Sequence, residues 1–221
     1  MSLVVKICGL TTLDAVDAAI GAGADMVGFV MFEASPRHIP ALRAMELVNH
    51  ARDRAETVVL TVDADEATVT RIADLVEPDW IQLHGHETPQ TIRAIKRAHG
   101  LKVIKALPVA TRDDLAAVGA YADVADLILF DARPPRDATR PGGHGVPFDW
   151  HLLKELDPAL PFMLSGGLTP DNVAEAMRIS GAGAIDASSG VESAPGIKSA
   201  EKIEALIRAA DEAYLEIAPP L

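Results

Sequence analysis

Apolar runs rich in β-branched residues recur along the chain, and longer segments with helical spacing lie between them. The apolar runs predict strands at 3–8, 25–31, 57–62, 79–84, 102–107, 126–131, 161–166 and 183–189. The helical spacing and its start signals predict helices at 11–23, 41–54, 66–76, 88–100, 111–122, 148–156, 169–183 and 199–214. Because a strand that returns in the same direction needs a crossover helix, this alternation predicts parallel pairing.

Eight such units predict an α/β protein, namely a (β/α)8 TIM barrel that forms a single domain over residues 1–221. A doubly wound open sheet is the alternative, but the segment CGLTTLDA after the first strand lacks the G-x-G-x-x-G turn typical of that fold. Active sites of (β/α)8 barrels lie at the carboxyl ends of the strands. Polar residues that end a strand are therefore the candidate functional residues.

The first strand carries the only cysteine of the chain at its end. Alternation places Val4, Lys6 and Cys8 on one face, so Cys8 lies at the barrel mouth if that face is the interior. A cysteine is either a small buried hydrophobe or a base or nucleophile; the strand-end position favours the second role, with Lys6 available to lower the thiol pKa. Lys6 itself forms either a Schiff base or, as we prefer, an ion pair with Asp186 of the neighbouring eighth strand.

Asp131 ends the sixth strand after four apolar residues. An aspartate in such a place is either a turn or capping residue or a catalytic carboxylate. Strands 1 and 6 lie apart across a barrel mouth, so Cys8 and Asp131 are predicted to flank a substrate from two sides. One acid and one base in that arrangement suit proton transfer.

Two glycine-bearing turns, at 165–172 and 188–196, follow the seventh and eighth strands. In this barrel fold, the loops after these two strands often bind phosphate through backbone N–H groups. The predicted phosphate-binding residues are Gly166, Gly167, Ser188, Ser189 and Gly190. Such turns would let an acidic chain hold a phosphate without a basic patch.

Three further segments near strand ends are candidates. His84 and His86 share a face after the fourth strand, but no other strand end supplies a histidine ligand, so we expect no metal and interpret His84 as a substrate contact or a satisfied core histidine. Arg37, in SPRHIP, is either solvated or a bidentate clamp on a carboxylate. The segment at 140–150 has the glycine content of a mobile lid.

Charge and targeting signals narrow the partners and the compartment. The net charge is −12 and no Lys/Arg cluster occurs, which argues against nucleic acid or an anionic membrane as a partner. Neither a secretory signal pattern nor an apolar run of about 20 residues is present. One cysteine cannot form an internal disulfide, so we expect a cytoplasmic protein.

Several motifs together resemble phosphoribosylanthranilate isomerases of tryptophan biosynthesis. KICGLT, GFVMFEASPRHI, QLHGHE, LFDA, GGHGVPFDW, LSGGLTPDNVAEA and AIDASSGVESAPGIKSAEKI occur in the order and spacing of that family and cover almost the whole chain. The resemblance implies the third step from chorismate to tryptophan, an Amadori rearrangement of N-(5-phosphoribosyl)anthranilate that needs no cofactor. A small phosphorylated molecule would be the substrate, and we expect a monomer or a homodimer.

The resemblance also implies roles for individual residues. Cys8 matches the general base of the family, Asp131 the general acid and Arg37 the arginine that contacts the anthranilate end. Asp186 matches the aspartate of the D-x-S-S-G motif, and the two glycine turns match the phosphate site. The lid departs from many relatives, since this chain has His144, Val146 and Pro147 where they carry Thr or Ser, Lys or Gln, and Thr or Ser.

Other functions remain open on the residues alone. A related isomerase could act on another aminoaldose or sugar phosphate. A lyase could use Lys6 or Lys105 as a Schiff-base amine. A non-catalytic barrel could bind phosphate without turnover.

Overall fold

The structure, a computed structural model, describes residues 2–134, 142, 145, 147–157 and 159–217. Eight strands form a closed barrel in which each pairs in parallel with the next and β8 returns to β1. They are β1 Val4–Cys8, β2 Met26–Val30, β3 Glu56–Thr61, β4 Trp80–Leu83, β5 Lys102–Val109, β6 Leu127–Ala132, β7 Phe162–Leu164 and β8 Ala184–Ala187. The predicted (β/α)8 barrel is therefore confirmed.

Helices separate most of these strands and cover the outside of the barrel. They are α1 Leu13–Gly21, α2 Ala41–Ala51, α3 Glu66–Arg71, α4 Pro89–His99, α5 Val118–Tyr121, α6 Val173–Ser180 and α7 Ala200–Ile217. A π-helical turn, Ile72–Val76, extends α3. No helix within the described ranges is long and apolar enough to cross a membrane.

Two predicted helices are shorter or tighter than the sequence suggested. The segment predicted as helix at 111–122 begins with a 3₁₀ turn, Arg112–Ala117, and only its end is α5. The segment predicted at 148–156 is a 3₁₀ turn, Trp150–Glu155, which the Asp149 carboxylate caps by accepting from the His151 N–H. A segment this short closes few i to i+4 bonds, so the i to i+3 pattern of a 3₁₀ turn competes well.

A small antiparallel hairpin follows β8 and was not predicted. After a 3₁₀ turn, Ser189–Val191, strand β9 (Glu192–Ala194) pairs with β10 (Ile197–Lys198). Gly196 turns the hairpin at a φ of 81°, and a Cβ there would lie 2.6 Å from the Pro36 carbonyl oxygen. The hairpin consequently packs directly on the loop between β2 and α2.

The barrel strands are buried on both faces. A small inner cluster fills the barrel and consists of Met26, Val58, Ile104, Ala106, Leu129, Met163 and Ala184. A larger outer cluster, which includes Val5 and Ile7 of β1, packs the strands against the helices. Because both faces are covered, the side on which a polar residue lies decides whether it reaches the interior or the helix layer.

Candidate active site

An open cleft of about 650 Å³ lies at the carboxyl ends of the strands. Among the described residues, it is lined by Cys8, Val30, Phe32, Ser35, Arg37, Leu60, Val62, His84, Asp131, Gly142, Ser165, Gly166, Gly167, Leu168, Asp186, Ser188 and Ser189. Nine of the ten site residues predicted from the sequence are in this set; Gly190 is the exception. The strand ends named as candidates therefore converge on one cavity.

Cys8 lies beside a buried ion pair at the floor of the cleft. The Lys6 ammonium donates to Asp186 Oδ1 at 2.7 Å, and the Ser165 hydroxyl donates to Asp186 Oδ2 at 3.1 Å. Lys6 is fully buried, and β1 and β8 pair so that Lys6 and Asp186 are direct neighbours. The structure thus contains the ion pair preferred from the sequence, and it leaves Lys6 engaged rather than free to form a Schiff base.

The ion pair and burial set opposing influences on two pKa values. Burial lowers the pKa of Lys6, but the Asp186 carboxylate and then the Cys8 thiolate raise it, and the pKa lies above its ordinary value. Burial raises the pKa of Cys8. The charge of Lys6 lowers this pKa and the charge of Asp186 raises it, and the Cys8 pKa lies above the ordinary value of a thiol. Lys6 does act on the thiol as expected, but it does not outweigh burial.

Asp131 is held at the opposite side of the cleft by two contacts. Its Oδ1 accepts from the Ala132 N–H at 2.8 Å, and His84 Nε2 lies 3.1 Å from its Oδ2. The other ring nitrogen of His84 lies 3.1 Å from Gln82 Nε2, inside the barrel. The sequence did not single out Gln82, although its place two residues before His84 puts both side chains on the inner face of the strand.

Glycines provide the space around the thiol and the carboxylate. A Cβ at Gly28, directly across from Cys8 on β2, would lie 2.8 Å from the Cys8 sulfur. A Cβ at Gly142 would lie 2.7 Å from Asp131 Oδ2, and one at Gly166 would lie 3.1 Å from Asp131 Oδ1. A larger residue at Gly28 or Gly142 would therefore press on one of the two groups, and one at Gly166 would first meet the Ala132 backbone nitrogen at 2.5 Å.

The two glycine turns after β7 and β8 meet at the cleft. Gly166 and Gly167 line the cleft and have φ values of 88° and 68°, a conformation that favours glycine. Ser188 and Ser189 line the same side. Gly190 instead lies behind the turn, where a Cβ would overlap the Leu168 carbonyl oxygen. Gly190 therefore allows the two turns to approach each other.

Arg37 reaches the cleft but is already bound by a carboxylate of this chain. Its Nε donates to Glu192 Oε1 at 2.7 Å and its Nη2 to Glu192 Oε2 at 2.8 Å. The Lys198 ammonium donates to Glu192 Oε1 at 2.7 Å. The solvated alternative for Arg37 is wrong, because the residue is only 5% exposed. Sequence reasoning missed Glu192 and Lys198. Their only signal was their position, Glu192 within the predicted phosphate turn at 188–196 and Lys198 two residues beyond it.

The paired histidines after β4 separate in the structure. The strand ends at Leu83, so His86 lies beyond it, with a side chain that is 97% exposed and 3.1 Å from Asp63. Within the described ranges, no group of three or more His, Cys, Asp or Glu could hold a metal ion.

In the predicted lid, 140, 141, 143, 144 and 146 lie outside the described residues, and these include His144 and Val146.

The closed barrel, with its polar strand ends gathered around one cleft, defines a (β/α)8-barrel enzyme that acts on a small molecule at the carboxyl face of the sheet. A family model described as N-(5'phosphoribosyl)anthranilate (PRA) isomerase matches residues 5–209. The chain belongs to this family of isomerases.

Individual relatives agree with the family model. An N-(5'-phosphoribosyl)anthranilate isomerase of Rhodopseudomonas palustris (strain BisB5) is 59% identical over 210 residues, which are 95% of this chain and 96% of the relative. The crystal structure of the isomerase from Thermotoga maritima is 34% identical, has a TM-score of 0.86, and is matched over 95% of this chain and 99% of that one. A further isomerase structure, in complex with reduced 1-(o-carboxyphenylamino)-1-deoxyribulose 5-phosphate, is 30% identical with a TM-score of 0.81 and the same coverage.

Proposed function

We propose that this chain converts N-(5-phosphoribosyl)anthranilate into 1-(2-carboxyphenylamino)-1-deoxyribulose 5-phosphate, the Amadori rearrangement of tryptophan biosynthesis. The observation that carries the proposal is the position of Cys8 and Asp131, which line one cleft from β1 and β6. Family membership supports the reaction, and a related isomerase has been solved in complex with reduced 1-(o-carboxyphenylamino)-1-deoxyribulose 5-phosphate.

In the first step, Asp131 delivers a proton to the ring oxygen of the furanose. The bond from C1′ to the ring oxygen breaks, and the nitrogen lone pair forms a C=N⁺ iminium. Asp131 is left as a carboxylate, which the Ala132 N–H at 2.8 Å and the His84 ring at 3.1 Å are placed to stabilise. These contacts also hold the carboxyl group in one orientation toward the substrate.

In the second step, Cys8 removes the proton from C2′. The C–H electron pair forms the C1′=C2′ bond and neutralises the iminium nitrogen, so no metal is needed as an electron sink. The resulting enolamine tautomerises to the ketone. Because burial raises the pKa of Cys8, the thiol carries a proton in the free protein, and it must release that proton to water in the open cleft before the sulfur can accept the one from C2′. The iminium cation favours the thiolate when it forms beside the sulfur, as an opposite charge within about 4–6 Å does for any acid.

The two anionic ends of the substrate have separate donor groups in the cleft. The backbone and hydroxyl groups of the turns at Gly166, Gly167, Ser188 and Ser189 bind the phosphate, with Gly190 packed behind them. Arg37 meets the carboxylate of the anthranilate. His84 and Asp186, which also line the cleft, contact the substrate between these ends. The negative chain therefore binds an anion through local donors rather than a basic surface.

The loss of anthranilate fluorescence, followed with EDTA present and no added cofactor, tests the proposal directly. We expect turnover by the wild type, and a fall in kcat of about 10²- to 10⁴-fold in Cys8→Ser and in Asp131→Asn. Circular dichroism and thermal melts should show that both variants stay folded. Near-normal turnover in either variant would remove that residue from the mechanism.

The two alternative functions have their own tests. Borohydride trapping of a lysine by a sugar phosphate would support the lyase. Binding of phosphate without turnover would support a non-catalytic barrel.

A further inference from the structure

Three buried charged side chains form one cluster at the side of the cleft. Arg37 comes from the loop after β2, Glu192 from β9 and Lys198 from β10, and their side chains are 6%, 5% and 2% exposed. The Glu192 carboxylate accepts from both partners at 2.7–2.8 Å and also from the Gly196 N–H at 3.2 Å. Glu192 is therefore the centre of the cluster.

The cluster carries one more positive charge than its own carboxylate balances. Burial raises the pKa of Glu192, but hydrogen bonds from Arg37 and the charge of Lys198 lower it below its ordinary value, so Glu192 is ionised. Burial lowers the pKa of Lys198 below its ordinary value, although the charge of Glu192 raises it part of the way back. A cluster that only fastened the hairpin would gain nothing from an unbalanced buried charge, which costs desolvation energy. The surplus charge lies beside a cleft that, in the proposed function, takes up two anionic groups.

Glu192 fixes the orientation of Arg37. It uses Nε and Nη2 together, and this bidentate contact holds the guanidinium plane. The stem of Arg37 crosses Gly9, where a Cβ would lie 2.5 Å from Arg37 Cδ. Glu192 holds one edge of the guanidinium plane and Gly9 lies against the stem. Among the described residues no acceptor occupies the Nη1 edge, so that edge is available to a ligand.

Lys198 extends the same cluster to the turn after β8. Its ammonium donates to the Ser188 carbonyl oxygen at 3.0 Å and lies 3.3 Å from the Ser188 hydroxyl. Ser188 lines the cleft, whereas Lys198 lies behind it. One carboxylate thus connects the cleft arginine to the serine turn through a single lysine.

We propose that Glu192 and Lys198 are positioning residues that join the site of the aromatic carboxylate to the site of the phosphate, so that the two ends of the substrate are recognised together. The inference rests on the proposed function for the identity of those ends. Neither residue touches the reacting atoms. Each acts through a group that does touch the substrate, Arg37 in one case and the Ser188 turn in the other.

The variants Glu192→Gln and Lys198→Met test the proposal, with Lys202→Met as the matched control. Lys202 donates at 2.7 Å to the Glu192 backbone oxygen, so it anchors the same hairpin without contacting the carboxylate. Each variant is assayed for KM and kcat with N-(5-phosphoribosyl)anthranilate and with the aniline analogue that lacks the carboxylate. Inorganic phosphate serves as a competitive inhibitor that probes the serine turn alone.

Glu192→Gln leaves Arg37 and Lys198 facing each other without a carboxylate between them, so the arginine turns away from its bound orientation. We expect KM for the anthranilate substrate to rise about tenfold or more with kcat within about threefold, and a clearly smaller change for the aniline analogue. Lys198→Met should raise KM for both substrates and the inhibition constant of phosphate. The double variant should show less than the product of the two effects, because both act through one cluster.

Several results would overturn the inference. If Glu192→Gln and Lys198→Met left KM unchanged and lowered the melting temperature only as far as Lys202→Met does, the cluster would serve only to stabilise the hairpin. A lower KM in Glu192→Gln would make Glu192 a competitor of the substrate carboxylate. Lys198→Arg should recover phosphate inhibition if the lysine acts by its charge and donors. Failure of the wild type to turn over the anthranilate substrate would count against the proposed function itself. That result is distinct from unchanged KM values in the variants, which count against the inference alone.

Discussion

Lys6 and Lys105 are two fully buried lysines on strands of the same barrel, yet they lie in different layers. Lys6, on β1, points into the barrel and pairs with Asp186 at 2.7 Å. Lys105, on β5, points toward the helices and pairs with Glu87 at 2.8 Å, with the ring of Tyr121 5.8 Å away. The two lysines are equally buried and their ion pairs have nearly the same length, but their side chains leave the sheet on opposite faces.

The two positions have different consequences for the cleft. Lys6 lies among the groups that set the pKa of Cys8, and its partner Asp186 lines the cavity. Lys105 donates to the carbonyl oxygens of Leu83 and Gly85, on either side of His84. It therefore holds the loop after β4 from outside the barrel and does not line the cleft. An inner charge acts on the chemistry, whereas an outer charge acts on the backbone that carries it.

Lys6→Met and Lys105→Met compare the inner lysine with the outer one, and we expect them to have the largest effects on stability and activity. Each leaves a buried carboxylate without its cation, so each should lower the free energy of unfolding by about 3–5 kcal/mol in urea titrations. Only Lys6→Met should also reduce kcat/KM by more than about tenfold in the folded protein, whereas Lys105→Met should stay within about threefold. Lys105→Met with Glu87→Gln removes the unpaired charge and should recover part of the stability. Equal losses of activity in the two single variants would contradict the division into layers.

Gly28→Ala and Gly119→Ala compare a glycine inside the barrel with one on the outer layer. A Cβ at Gly28 would lie 2.8 Å from the Cys8 sulfur, whereas nothing lies within 4 Å of one at Gly119, in α5. We expect Gly28→Ala to cost about 1–3 kcal/mol and to lower kcat by displacing the thiol. Gly119→Ala should be neutral or stabilise the protein by up to about 1 kcal/mol. Thermal melts and kcat values are the measurements, and an unaltered kcat in Gly28→Ala would show that the thiol tolerates the shift.

The pH dependence of alkylation tests how each lysine affects the pKa of Cys8, because Cys8 is the only thiol of the chain. Since the pKa of Cys8 is raised in the folded protein, iodoacetamide should react slowly near neutral pH and faster only above about pH 9. Lys6→Met removes a charge that lowers this pKa, so its profile should move to higher pH, while Lys105→Met should leave it in place.

The same pKa shift fixes the sign of a stability effect. The folded state holds the thiol proton more tightly than the unfolded chain, so its stability is retained below the unfolded pKa and declines as the pH rises through the folded one. Urea midpoints measured from neutral pH to above pH 9 should fall over that range, and they should fall less in Cys8→Ser. Midpoints that instead rise with pH from neutral up to the unfolded pKa of the thiol would mean that Cys8 is ionised in the folded protein.

Much of the fold was predictable because the barrel strands are short apolar segments with clear boundaries. All eight strands overlap their predicted ranges, and none of their ends differs from the prediction by more than two residues. Strand β1 ends at Cys8, as predicted. The two 3₁₀ turns and the hairpin β9–β10 were not predicted. Their hydrogen bonds depend on caps, and in the hairpin on packing against Pro36, rather than on apolar periodicity.

The sequence by itself determined which residues stand at strand ends, because the order of strands and helices fixes those positions along the chain. It placed Cys8, Asp131 and the two glycine turns at one face of a barrel. Only the tertiary structure decided that Lys105 faces the helices, that burial outweighs Lys6 at the thiol, and that Glu192 lies between Arg37 and Lys198. Alternation cannot choose between two buried faces, and a pKa or a charge cluster depends on residues more than 150 positions apart, such as Arg37 and Glu192.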